Sequence, residues 1–367
     1  MTRLLCLVLL LASCLPAIAE TRYSGEQTLW QDTVWSGDIL IDGILTVAPG
    51  VRLEIRPGTT VRFTFFDSNG DGIGEHEIFI QGRLLALGTA EQPILFTSAE
   101  TAPRPGAWGA INMMASEDDN LLRHCVVEYA YRGFHAHFGK GRIEDSLFRR
   151  NLRAFQFQDS TVRVSRCRVL DNFNGLQFRD ATVVLEQCRI TGSQWAIRGI
   201  YSDLTLTGCL IENNRINAVS LRESTLVAEA NRIIGNRRGI FLQRGKGTLR
   251  GNRIVGNAEH GTFFEDSEVI LRDNRITANG RAGIRWLDSQ GVIAGNDLSG
   301  NGEYALMNDG SGDLQVGSNW WGSVDEKRID QLIRDRRDRP ETGLVRYAVP
   351  LSGKPSAGPT ATPLLPE

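Results

Sequence analysis

A unit of 21 to 23 residues recurs along most of this chain, and no other property restricts its fold as strongly. The clearest copies are Asn231-Arg-Ile-Ile-Gly-Asn236, Asn252-Arg-Ile-Val-Gly-Asn257 and Asn274-Arg-Ile-Thr-Ala-Asn279. The pattern weakens at Asn296-Asp-Leu-Ser-Gly-Asn301, and upstream the first asparagine gives way to Cys209, Cys188 and Cys167. The position held by Asn231 is occupied in order by Cys125, Ser146, Cys167, Cys188, Cys209, Asn231, Asn252, Asn274, Asn296 and Asn319. Three residues before each lies an apolar side chain, from Leu122 and Ile143 to Ile293 and Val316. Two residues after lies another, from Val127 and Phe148 to Ile276 and Leu298. A third column runs Phe134, Phe155, Leu176, Ile197, Val219, Ile240, Thr262, Ile284, Leu306. A fixed period of this length announces a repeat architecture.

Short alternating segments expose one face apiece and cannot bury it alone. Stacked coil on coil, three per repeat, they enclose a single cylinder of apolar side chains. No segment inside the repeat holds a 3.6-residue period, and β-branched residues dominate the inward positions, so strands are expected throughout. The same alternation appears earlier, at Ile39–Ile41, Leu45–Val47, Leu53–Ile55, Val61–Phe63, Ile78–Ile80, Leu84–Ala86 and Ile94–Phe96, punctuated by Pro49-Gly50 and Pro57-Gly58. The expected architecture is an all-β parallel solenoid with three strands per coil.

The repeated Asn-Arg-Ile-x-x-Asn units resemble the parallel β-helix repeat, and the chain is similar to the right-handed β-helix group with the pectin-lyase-like fold over about residues 34–350. The resemblance implies the right hand of the coil. The stretch Gly317-Ser-Asn-Trp320-Trp321-Gly322 with its following helix and the Leu344–Tyr347 strand resembles the C-terminal cap of secreted bacterial members. Ser323-Val-Asp-Glu326 reads as a capping box opening a helix with Ile329, Leu332 and Ile333 on one face. A cap is required where the last coil would expose core and strand edge.

The organisation follows. Residues 1–19 read as a secretory leader, a charge followed by a short apolar run and Ala17-Ile-Ala19; Leu11-Ala-Ser-Cys14 alternatively reads as a lipoprotein box. Residues 20–115 form an N-terminal cap and irregular first coils, 116–318 regular coils, 319–351 the C-terminal cap and 352–367 a flexible tail. No later segment is long and apolar enough to span a bilayer. A secreted or periplasmic monomer is expected. The formal charge of −2, with 37 arginines against four lysines, argues against a nucleic-acid partner.

Cys125, Cys167, Cys188 and Cys209 share one inward column, so buried free thiols are expected rather than bridges. The asparagine columns read as scaffold, each amide satisfying backbone groups at a corner. Asp67-x-Asn69-x-Asp71-Gly72 matches the first half of a calcium loop, with Glu75 or Glu77 in place of the missing last ligand, and a structural Ca²⁺ is expected there. Arg168, Arg189, Arg232, Arg253 and Arg275 form an outward stripe, interrupted by Leu210, that reads first as a solvated face.

A second outward face carries His135, Gln156, Gln177 and Arg198, flanked by His137, Gln158, Arg179 and Arg222. Amides and guanidiniums on a ridged surface suit sugar hydroxyls and carboxylates. The expected partner is a polysaccharide or another cell-surface component. Histidines His135 and His137 with His124 read as surface rather than as a metal site. Asp159, Asp180, Asp266, Asp288 and Asp309 fall just past the third strand, where aspartate is turn chemistry, and the polygalacturonase motifs Asn-Thr-Asp and Arg-Ile-Lys are absent. A binding protein without catalysis is therefore the leading expectation. Its rivals are a polysaccharide lyase or glycoside hydrolase, and an accessory factor resembling the copper-related β-helix proteins of nitrous oxide reductase maturation. Few methionines and histidines count against the last.

Overall fold

The computed structural model describes residues 20–116 and 119–355; the leader, with Cys14, and the end of the tail lie outside the described residues. The coil that begins at Asn231 shows how the repeat is built. Arg232–Ile234 forms a first strand, Arg238–Gln243 a second, Lys246–Arg250 a third, and Arg253–Val255 opens the next coil. Each strand pairs in parallel with its counterpart one coil on: Ile233 with Ile254, Phe241 with Phe263, Thr248 with Ile270. The third-strand column alone gathers twelve strands into one sheet. The architecture is the expected parallel β-solenoid.

Three corners per coil turn on single residues in the left-handed region. Ala230 and Asp273 precede the ladder residue, Arg150 and Ala278 sit at the second corner, and Asp159, Asp180, Asp266 and Asp288 at the third, with φ between 44° and 57°. The corner N–H reaches the neighbouring coil, as Asp159 to the Arg179 carbonyl at 3.2 Å. Short polar side chains tolerate this conformation best. Asp159, Asp180, Asp266 and Asp288 are therefore corner residues, as their spacing predicted, at the end of the second strand in the present count; Asp309 is instead ion-paired with Arg285 at 2.7 Å.

All three apolar columns point inward and are buried, including Leu122, Phe148, Ile233, Leu271 and Ile284. Between the second corner and the second strand's core residue stands one more buried column: Gly133, Ala154, Gly175, Ala196, Ala218 and Gly239. Two consecutive inward residues break strict alternation here. The side chains must be small: a Cβ on Gly175 would meet the Ala196 carbonyl oxygen at 2.3 Å, and one on Gly239 the Gly261 oxygen at 2.1 Å.

The coils extend back without interruption, Leu85 pairing with Leu121 and Ile94 with Cys125. Thr21–Leu29 lies in register on Asp38–Val47 and forms the first layer. At the other end the helix is Glu326–Asp330, and its N-cap is Asp325, whose carboxylate accepts from the Lys327 and Arg328 N–H groups. The helix thus starts two residues later than the capping-box reading implies, because Ser323 Oγ is engaged by the Asp325 N–H instead. Ile333 belongs to a two-residue strand on Leu306 rather than to the helix. Buried Trp321 closes the core beneath Tyr347, their ring centroids 5.7 Å apart.

Candidate functional site

The second-strand sheet presents the outward column His135, Gln156, Gln177, Arg198, Ser220, Phe241, Phe263, in continuous register. Ser220, much the shortest of these around it, stands between Arg198 and Phe241 and leaves a gap in the ridge. Around this gap lies a depression of about 620 Å³. Gln156, Gln158, Gln177, Arg179, Arg198 and Arg222 all line it. Six of the eight residues singled out as ligand-binding are thus brought together by four consecutive coils.

His135 and His137 are not in that lining. His135 alternates outward but is only 7% exposed, and its Nδ1 meets Asn112 Oδ1 at 2.8 Å. This corrects its placement on an open face: the neighbouring strand covers it. Burial, then the charges of Arg132, His137 and Arg153, push its imidazole down to about 3, so it is neutral. His137 is half-buried against Phe138, with Nε2 3.6 Å from Asp159.

Arg153 and Trp195 join the lining, and alternation alone missed both. They occupy one register, two residues before the inward Phe155 and Ile197, where strict alternation would bury them. The buried Ala154 and Ala196 shift the phase and turn them out. The signal was present in the sequence as a column of glycine and alanine at one register.

The charge of the depression is one-sided. Its lining contains Arg153, Arg179, Arg198 and Arg222 and no carboxylate, imidazole or phenol. Arg179 is paired with Asp180 at 2.9 Å, and Arg222 lies 3.8 Å from Glu223, which is held more closely by Arg244 at 2.7 Å. Arg198 lies over the Trp195 ring, 5.3 Å from its centroid, and Arg153 hydrogen-bonds Gln156 and the Tyr131 hydroxyl. These planar donors are positioned to take anionic oxygens in pairs.

The acidic loop has a different character. Asp67 accepts from the N–H groups of Gly70 and Gly72 at 2.7 Å, Asn69 from Asp71 and Asp71 from Ile73. Glu75 accepts from Ser68. Glu77 is elsewhere, on the strand Glu77–Ile80, bonded to Asn112. Among the described residues no three acidic, histidine or cysteine side chains converge as a metal site. The loop's oxygens are engaged with its own backbone, and the proposed fifth ligand, Glu77, does not face it.

The remaining expectations are structural. The four cysteines are buried and unbridged. Arg168, Arg189, Arg232, Arg253 and Arg275 do share an outward register, with buried Leu210 between them. Arg189 is countered by Glu212 at 3.0 Å and Arg275 by Asp297 at 3.9 Å. Among the described residues no helix is long and apolar enough to cross a membrane.

Parallel coils stacked in register, with three strands to each coil, define a β-helix protein. The chain belongs to the right-handed β-helix family: the family model described as "Right handed beta helix region" matches residues 109–225 and 154–320, and "Pectate-lyase like beta helix domain" matches 27–135. No curated protein matches the chain. Among solved structures it is similar to the periplasmic alginate epimerase AlgG, 16% identical with a TM-score of 0.45, covering 85% of this chain and 76% of that one. The A-module of the Azotobacter vinelandii mannuronan C-5 epimerase AlgE4 is 12% identical, TM-score 0.36, covering 77% and 86%. Likeness at this level is one of fold.

Proposed function

We propose that this protein binds an acidic polysaccharide along the groove formed by Gln156, Gln158, Gln177, Arg179, Arg198 and Arg222, and that it does so without cleaving it. The observation that carries the reading is the lining itself: four guanidiniums and several amides from successive coils, with no acidic group among them. A chain laid across the strands meets an equivalent step at each coil, roughly every 4.8 Å. Arginine takes carboxylates bidentately, and Trp195 and Phe241 supply apolar surface for ring faces. The absence of a carboxylate, imidazole or phenol from the lining leaves no paired acid and base at the groove floor.

Calorimetric titration with polygalacturonate, alginate and a neutral glucan tests this. The acidic polymers are expected to bind and the neutral one not, with Arg179→Gln/Arg198→Gln weakening the acidic ligands at least about tenfold. Salt should weaken binding too. Equal binding of the neutral glucan, or shortening of any polymer on prolonged incubation, would overturn the proposal.

A further inference from the structure

At its N-terminal end the groove runs into a cluster that the reading above does not use. Tyr131 is half-buried between two guanidiniums, Arg132 at 4.6 Å and Arg153 at 4.8 Å from its ring centroid. Arg153 Nη1 also donates to the Tyr131 hydroxyl at 2.7 Å. Neither arginine forms an ion pair among the described residues, and the Nε–H of Arg132 is buried without a hydrogen-bond partner. Two like charges sharing one ring repel each other, and a buried unused donor adds its own desolvation penalty.

The nearest candidates for a counter-charge are engaged with other partners. The Glu77 carboxyl is raised by burial, against the opposing effects of its bond from Asn112 and the charge of Arg132. Asn112 Nδ2 donates to Glu77 at 3.1 Å, so its Oδ1 faces His135 Nδ1 as an acceptor. His135 accordingly carries its proton on Nδ1 and presents a bare Nε2. Tyr131 is pushed up by burial, but the bond and charge of Arg153 and those of Arg132 prevail and leave it lowered. The two guanidiniums thus share one ring with no carboxylate in ion-pair contact among the described residues, Glu77 being held by Asn112 instead.

We propose that Tyr131, Arg132 and Arg153 form a carboxylate-binding subsite at the end of the groove. The subsite takes one terminal or internal acid group of the glycan, and it rests on the acidic-polysaccharide reading. Arg153 is the link, since it lines the groove and holds Tyr131. The groups facing His135 are Arg132 and His137 on its own strand, Arg153 and Gln156 on the next and Asn112 on the preceding one, with Glu77 one strand further back. Burial is the larger cause of the lowered imidazole, and an anion on the two arginines cancels only the part that comes from their charges, so a rise in its pKa is expected on binding.

The test uses the full chain with sodium D-glucuronate as probe and D-glucose as control, followed by long-range ¹H–¹⁵N spectra of the imidazoles across pH. Glucuronate is expected to raise the pKa of His135, glucose to leave it unchanged, and Arg132→Gln to weaken glucuronate at least about tenfold. Tyr131→Phe, which removes only a hydroxyl, provides the milder variant and should weaken it severalfold; circular dichroism confirms that each variant folds. If glucuronate leaves His135 and Arg132→Gln unaffected while Arg179 and Arg198 remain necessary for polygalacturonate, the subsite is wrong and the groove reading stands. If no acidic polymer binds, both fall together.

Discussion

The ladder runs on cysteine between Cys167 and Cys209 and on asparagine from Asn231 to Asn319, and the two halves join coil to coil by different means. In the asparagine half, Asn274 is typical. Its Nδ2 donates to the Leu249 and Arg272 carbonyls and to Asn296 Oδ1, while its Oδ1 accepts from the N–H and Nδ2 of Asn252. Every corner polar group is satisfied through the column. In the cysteine half a thiol does the same work weakly: Cys188 Sγ lies 3.3 Å and 3.5 Å from the Glu186 and Val164 carbonyls, and the Cys188 N–H reaches Cys209 Sγ at 3.3 Å. The parallel asparagine column at the second corner also breaks in this half, at Ser193, whose buried hydroxyl has no partner. The groove lies over these loosely joined coils. What differs is bonding rather than burial, since both columns are almost fully excluded from water.

This contrast can be broken most directly at Asn274. Asn274→Ala deletes one amide and leaves several buried groups unpaired, and a loss of about 3–5 kcal/mol is expected in urea unfolding, spread over the neighbouring coils. A loss under about 1 kcal/mol would show that the ladder is decorative. Acid should act through two buried histidines, His260 in the asparagine half and His135 ahead of the cysteine half. Burial, then Arg285 and Arg281, lowers His260 to about 4, and His135 is lowered to about 3. A folded-state pKa below the unfolded 6.5 means the unfolded chain binds the proton first. The stability is therefore whole above pH 6.5 and declines as pH falls towards 4, by roughly 2–3 kcal/mol per histidine. Thermal melts of His260→Gln across that range should show a flatter decline than the wild type.

Smaller effects sharpen the comparison. Cys188→Ala removes weak contacts and should cost about 1 kcal/mol, well below the asparagine variant. The thiols should resist alkylation until unfolding, since burial raises Cys125, Cys167 and Cys209 far above the ordinary thiol range. A bridge found by non-reducing mass measurement would contradict the structure. Ser193→Asn restores the missing rung between Asn172 and Asn214 and is expected to stabilise by up to about 1 kcal/mol. Smallest of all, adding Ca²⁺ to chelator-treated protein should move the melting temperature by no more than about 1 °C, because the Asp67 loop is closed by its own backbone bonds. A shift of several degrees would restore the calcium reading.

The solenoid was legible because ten registers repeated the same three inward positions, so weak local preferences added up. The corners were legible as well, since Asp159, Asp180, Asp266 and Asp288 recur at one offset. The groove was legible in part. Gln156, Gln177 and Arg198 follow simple alternation, whereas Arg153 and Trp195 depend on the phase shift at Ala154 and Ala196. His135 was misplaced for another reason: exposure depends on Asn112, a residue from an earlier, less regular coil. Glu77, read beside Asp67, lies on the strand Glu77–Ile80 and takes its hydrogen bond from Asn112, a partner 35 residues on that closeness in sequence does not reveal.

The corners also fix a unit of measurement. Coils of 21 and 22 residues close through the same kind of left-handed turn, and the second strands stay in register whichever length is used, as between Gln177 and Arg198 and between Arg198 and Ser220. The groove can therefore lengthen or shorten only by whole turns of about 4.8 Å. From Gln156 to Phe241 it spans four such steps. The face behaves as a ruler with fixed graduations. A glycan whose charges fall on those marks gains a contact at every coil, and one with another spacing drifts out of phase along the groove. Selectivity of this kind resides in the pitch of the backbone, before any single side chain is considered.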